Sequence, residues 1–297
     1  MRRALGRSTA RDPSLIVPFE FALPPRGDAR IAAAVHIFHP ELAVELRDAC
    51  AHVGAPCDLL ITSDTAAKLE AIGAILACWP HGSVTLRRVE NRGRDVAPKL
   101  TAFTDRYGDY ELLLFVHSKQ SAHGGLGLGW REKLLASLCG SDRVVRSVLT
   151  LFAIDSTLGI VFPEHHEPIR RHLNWGANFS QGEALAARMG IALDRRAPIE
   201  FPSGSMFWAR PSALAPLLAL GLAPADFPVE AGQTDGTTAH AVERLFLLAC
   251  RQAGLGWRKV AAAGHYRRRG TMIPIRSLEE LRGALAARRP GQAVGGG

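Results

Sequence analysis

The feature that most constrains this chain is a regular alternation of short, uninterrupted apolar runs with longer stretches of helical spacing. Mainly apolar runs fall at 31–38, 57–62, 111–116 and 158–162, and the more polar 83–89 reads as a further strand in the same series. Between and after them, 40–53, 64–78, 98–107, 130–138, 142–154, 211–220 and 237–253 repeat apolar residues at three and four. A run with no polar alternation reads as a strand covered on both faces. Strands alternating with helices make parallel pairs, because a parallel neighbour is reached only by a crossover. The expected fold class is therefore α/β, a Rossmann-type, mostly parallel sheet flanked by helices. In such sheets a ligand sits beyond the carboxyl ends of the strands.

The rest of the chain is placed around that frame. Residues 199–209 read as strand, turn, strand, and 257–263 as a last strand. The stretch 163–200 is irregular and rich in His, Asn, Trp and Pro, the mark of a long functional loop or a small helical insert. Residues 1–29 lack periodicity and read as a flexible N-terminal arm, 30–265 as the folded domain, and 266–297 as a basic, partly disordered tail.

Charge and composition narrow the function. The net charge is +8, which attracts nucleic acid, anionic lipid or a phosphorylated small molecule. Aromatic residues make up only 7% and no basic helix appears, so nucleic acid is not an expected partner. The clusters Arg267–Arg269 and Arg288–Arg289 suit peripheral contact with an anionic membrane. No apolar run is long enough to span a bilayer, and the basic N-terminus lacks the apolar core of a signal peptide. A cytoplasmic protein is expected. The five cysteines are scattered without a CxxC pair, which argues against a disulfide framework or a zinc site.

Four segments crowd polar residues where a strand hands over to a loop. The first is Asn91, Arg92, Gly93, Arg94 and Asp95. Gly93 permits a tight turn, the two arginines are planar forks for phosphate, and Asn91 and Asp95 can hydrogen-bond a base or ribose. The second, His117, Ser118 and Lys119, stands where many nucleotide-sugar enzymes carry paired aspartates for a metal. Alternate residues of a strand share a face, so His117 and Lys119 are expected to meet one diphosphate without a metal. The third is the turn Ser203, Gly204 and Ser205 before Phe207 and Trp208, with hydroxyls and an aromatic face suited to a sugar. The fourth holds Glu230, Asp235, His240, Glu243 and Arg244. The last three share one helical face. Glu243, Asp235 and His240 are the candidates for taking a hydroxyl proton, Glu230 lies beside them, and a structural Glu243–Arg244 ion pair is the competing reading.

Taken in order, these blocks resemble the rhamnan synthesis protein F family. Its members carry a strand ending in NRGRD, another ending in His-Thr-Lys-Lys-Ser, a PxGSMFWxR block and a D-G-T-x-x-H-x-x-E-R-x-F helix. Here the counterparts are NRGRD at 91–95, HSKQS at 117–121, FPSGSMFWAR at 201–210 and DGTTAHAVERLF at 235–246. Ser118 replaces Thr and Gln120 replaces Lys. The resemblance covers about residues 30–260.

It implies a GT-A-like glycosyltransferase that moves a sugar, usually rhamnose, from a donor such as dTDP-rhamnose. The acceptor would be a growing surface polysaccharide or lipid-linked glycan. Asn91–Asp95 and His117–Lys119 would bind the donor; Ser203, Gly204, Ser205, Trp208 and Glu230 would line the acceptor side. No cofactor or metal is expected. The alternative is a non-catalytic nucleotide-sugar- or glycan-binding module that partners another transferase.

Overall fold

A computed structural model of the protein describes residues 13–23, 29–54, 56–118, 129–266 and 272–286. Strands β2 (Ile31–His36), β3 (Cys57–Ser63) and β4 (Val84–Arg88) follow one another in parallel, with helices α1 (Ala43–Ala51) and α2 (Ala66–Leu76) as crossovers. After the short α3 (Val96–Thr101), strand β5 (Leu112–His117) returns to the other side of β2. The strand order therefore reverses between β2 and β5, the arrangement that opens a crevice at the carboxyl ends.

Helices α4 (Trp130–Cys139) and α5 (Asp142–Ile154) lead to β6 (Leu158–Pro163). Then come α6 (Phe179–Arg188), β7 (Phe207–Ala209), α7 (Pro211–Leu218), α8 (Thr238–Gln252) and β8 (Gly256–Ala262). The sheet order is β4-β3-β2-β5-β7-β6-β8-β1-β9, where β1 is Ser14–Val17 and β9 is Met272–Ile273. The last helix is α9 (Leu278–Ala286). Among the described strands, β7 alone runs against its neighbours, pairing Phe207 with Phe115 and Ala209 with Leu113. Because β7 is reversed, the residues before it emerge at the carboxyl edge of β5 and β6.

The apolar runs do what their lack of polar residues demands. Every residue of β5 and of β6 is buried. Along β5, Leu112, Leu114 and Val116 join the core on one face, with Leu138, Val148 and Leu281. Leu113 and Phe115 join the other, with Leu214, Leu245 and Phe246. The strand period of two divides the core into two layers, each under its own set of helices. Local signals set the helix ends: the Ser141 hydroxyl accepts from Val144 N–H at α5, and Thr237 does the same for His240 at α8.

Three expectations are corrected here. The arm at 1–29 is not loose over 13–23, because Ser14–Val17 forms β1, parallel to β8 and β9, with Leu15, Val17 and Phe19 in the core. The tail is ordered over 272–286, where it adds β9 and α9. The strand expected at the start of 199–209 is absent; β7 begins only at Phe207, and Pro202 has no N–H for a ladder. Among the described residues, no helix is long and apolar enough to cross a membrane.

Candidate active site at the carboxyl edge

A cavity of about 450 Å³ opens at this edge, lined by Arg94, Asp95, Ser203, Gly204, Ser205, Asp235, His240 and Glu243 together with Trp130, His172, Asn174, Phe201 and Arg244. Three of the four sequence blocks thus converge on one space. Its size is that of a small-molecule site. The second block begins just behind it, at His117.

The 203–205 turn is the hinge of the site. Gly204 has φ +88 and Ser205 φ +54, and a side chain on Gly204 would meet Leu134 Cδ1 at 2.9 Å. Gly204 N–H donates to Glu243 Oε1 (3.0 Å), as does the Ser205 hydroxyl (3.2 Å). The Gly204 carbonyl accepts from His117 Nε2 (2.9 Å). A carbonyl only accepts, so Nε2 carries the proton. His117 is buried, and Asp95 Oδ2 lies 3.5 Å from the same nitrogen. Expected to face a diphosphate, His117 instead lies behind the cavity, where it ties the end of β5 to the turn. Its expected partner Lys119 lies outside the described residues.

Behind Asp95 sits a cation that sequence reasoning missed. Lys99, one helical turn on, is 5% exposed and pairs with the Asp95 carboxylate. The i, i+4 spacing was the available signal. His36, beside His117 at the end of β2, bonds Thr62 Oγ1 through Nδ1 (3.0 Å). Burial, helped by Lys99 and Lys68, pushes it down to about 4, so it is neutral at pH 7.

The NRGRD loop is largely occupied in holding itself. Arg92 donates through Nε to Glu90 (2.8 Å) and through NH1 to the Phe227 carbonyl (2.9 Å), so its fork is turned from the cavity. Gly93 has φ +61, and a Cβ there would lie 2.5 Å from Phe227; it serves packing. The Asn91 carbonyl accepts from Glu230 N–H (3.2 Å). Glu230 in turn holds Arg94 Nε at 3.2 Å and does not line the cavity. Arg94 does, with a second bond to the Gln233 carbonyl.

Two further predicted residues are structural. The Ser118 hydroxyl accepts from the N–H groups of Phe38 (2.8 Å) and His39 (3.0 Å) and is buried. Trp208 is wholly buried, and its indole donates to the Leu138 carbonyl (3.0 Å). On a sheet covered on both faces, each side of β7 is core, so neither Phe207 nor Trp208 can meet a sugar.

On α8 and in the loop before it the candidates differ in availability. Asp235 accepts from Ala177 N–H (3.1 Å) and from the Asn178 amide. Burial raises its carboxyl, but bonds from Asn178, Ala177 and Gly236 and the Arg244 charge outweigh this and hold it below the usual range. His240 bonds Thr237 Oγ1 (2.7 Å), and burial beside Arg94 and Arg244 pushes it down to about 4. Arg244 is not chiefly a partner of Glu243, which is 3.9 Å away. It donates to the carbonyls of Asn174 (2.8 Å) and His240 (2.7 Å) over the Phe201 ring. It is the rigid cation of the cavity.

The 163–200 stretch supplies the second missed group. His165, two residues after β6, bonds Ser203 Oγ through Nδ1 (2.8 Å) and the Glu200 carboxylate through Nε2. Lys259 Nζ lies 3.1 Å from the other Glu200 oxygen. The richness of the stretch in His and Asn was the only sequence signal.

An uncharacterized protein, WxcX, of Xanthomonas campestris pv. campestris strain B100 is 34% identical over 244 residues, covering 78% of this chain. The same protein of strain ATCC 33913 matches with the same identity and coverage. The match covers 34% of the length of each relative, so this chain spans about a third of them. The rhamnan synthesis protein F family matches residues 20–254, a span that holds all four blocks and the whole cavity. With that match over most of its length, the chain belongs to the rhamnan synthesis protein F family.

Proposed function

We propose that the protein transfers a sugar from a nucleoside-diphosphate donor to a glycan, in keeping with a family described by rhamnan synthesis. The observation that carries this reading is the cavity at the carboxyl edge, where a rigid guanidinium, a hydroxyl-bearing turn and three carboxylates meet. The mostly parallel sheet with one reversed strand supports the GT-A-like reading. The donor diphosphate is met by Arg94 and Arg244, with Lys119 as the third proposed cation. Among the described residues, no three or more His, Cys, Asp or Glu stand close enough to hold a metal; charge neutralisation by the two arginines is the proposal. The sugar proposed is rhamnose, from a donor such as dTDP-rhamnose. The acceptor is a polysaccharide or lipid-linked glycan that approaches over Ser203–Ser205.

Thermal shift with dTDP-, UDP- and GDP-sugars tests donor binding. One of them at about a hundredfold excess over Kd is expected to raise Tm by roughly 5 °C, unchanged by EDTA. A shift abolished by EDTA sinks the metal-free part, and no shift with any donor sinks the donor site. The engagement of Glu243 and Asp235 favours one second reading, a binding module without catalysis. It requires donor binding with no release of nucleoside diphosphate.

A further inference from the structure

We propose that Ser203, His165 and Glu200 form a proton relay in which Ser203 Oγ takes the proton of the acceptor hydroxyl. The proposal rests on the transferase reading. It starts from a gap: the expected bases are each otherwise engaged. Glu243 braces the turn through Oε1, Asp235 is held by Asn178 and Ala177, and His240 is bonded to Thr237.

The relay has a direction set by its far end. Glu200 is ionised: burial raises its carboxyl, but His165, through its bond and through its charge when protonated, and the Lys259 ammonium outweigh this and hold it at about 2. A carboxylate only accepts, so His165 Nε2 carries a proton and donates it to Glu200. In the neutral ring Nδ1 is then an acceptor, and the partner at 2.8 Å is the Ser203 hydroxyl. Ser203, a lining residue of the cavity, therefore points its proton into the protein and keeps its lone pairs free to accept.

The geometry is firmly held. His165 has a wholly buried side chain, packs against Phe162, and donates its N–H to Glu164 Oε1 (2.7 Å). The Glu164 carboxylate is itself fixed by Ser14 and Arg170. The Ser203 backbone belongs to the turn held by Pro202, His117 and Glu243. A nucleophile or base oriented through a histidine by a third group is the general logic of an activated hydroxyl.

The step balances. A bond forms between the acceptor oxygen and the anomeric carbon. The bond from that carbon to the diphosphate breaks, and its electron pair leaves with the nucleoside diphosphate. The acceptor proton passes to Ser203 Oγ as the serine proton passes to His165 Nδ1. The resulting imidazolium faces the Glu200 and Glu164 carboxylates against the Lys259 ammonium. It returns the proton through Ser203 to water once the products leave.

The test uses the full chain, the dTDP-, UDP- or GDP-sugar that gives the largest thermal shift, and p-nitrophenyl rhamnoside as acceptor. Ser203→Ala is expected to lower kcat by about 100-fold or more, with donor KM and the donor-induced thermal shift unchanged. Glu200→Gln is expected to move the acid limb of the kcat–pH profile to lower pH, because losing the carboxylate makes His165 harder to protonate. A purely structural role moves neither. A transferring wild type with Ser203→Ala at wild-type kcat and Glu200→Gln with an unmoved acid limb overturns the relay alone. A wild type that binds the donor but transfers nothing overturns the transferase reading and the relay with it.

Discussion

Gly93 and Glu243 show how single atoms hold the site in shape. Gly93 needs φ +61, and an added Cβ would meet Phe227 at 2.5 Å and Ala97 at 2.7 Å. Gly93→Ala combines backbone strain with overpacking, each costing about 1–3 kcal/mol. Its expected result is a Tm several degrees lower, measured by calorimetry. At Glu243 two substitutions part the roles of brace and base. Glutamine keeps an oxygen to accept from Gly204 N–H and the Ser205 hydroxyl; alanine leaves a buried N–H unpaired at a cost of about 1–3 kcal/mol. Glu243→Gln is expected to keep kcat within several-fold of wild type while Glu243→Ala loses stability. A Glu243→Gln protein that folds and binds donor but has lost turnover would make Glu243 the base and count against Ser203.

At the scale of elements, what was readable in the sequence follows from how local each signal is. The mainly apolar runs read at 31–38, 111–116 and 158–162 became the strands β2, β5 and β6. Their carboxyl ends lie at the edge where the cavity opens. The four residues of β1 carried no comparable signal, because their partners Lys259–Ala262 lie far along the chain and strand pairing is not local. Trp208 illustrates a second limit: alternation names two faces of β7 but not that both are covered. His117 shows a third, since the Gly204 carbonyl it serves is 87 residues away. Reading β1 as an arm carries a checkable consequence. Deleting residues 1–23 would uncover the edge of β8 and remove Leu15, Val17 and Phe19 from the core. Each of these side chains contributes about 1.5–3 kcal/mol by burial. The truncated chain is expected to be insoluble or to melt well below the full one, whereas a loose arm would leave Tm unchanged.

At the scale of the whole molecule, the buried titratable groups give stability a particular dependence on pH. His36 and His240 are lowered from 6.5 to about 4. The unfolded chain therefore binds their protons first, and stability falls as pH drops from about 6.5 toward 4. Glu200, lowered from 4.5 to about 2, works in the same direction further down. Its ionised form is bonded in the fold, so its contribution is complete above about 4.5 and is lost toward 2. The two windows adjoin, and the expected profile is a continuous decline in Tm from near neutrality into acid instead of a plateau down to pH 5. His240→Asn separates them, because it removes a titrating group from the upper window and leaves the Glu200 network intact. Its Tm is expected to fall less steeply between pH 6.5 and 4.5 than that of the wild type, with parallel curves below. A variant whose curve stays parallel across the upper window would show that burial does not lower His240 and that it titrates in the fold as in the unfolded chain. His240 would then be a cation at the cavity below about pH 6.5, beside Arg94 and Arg244.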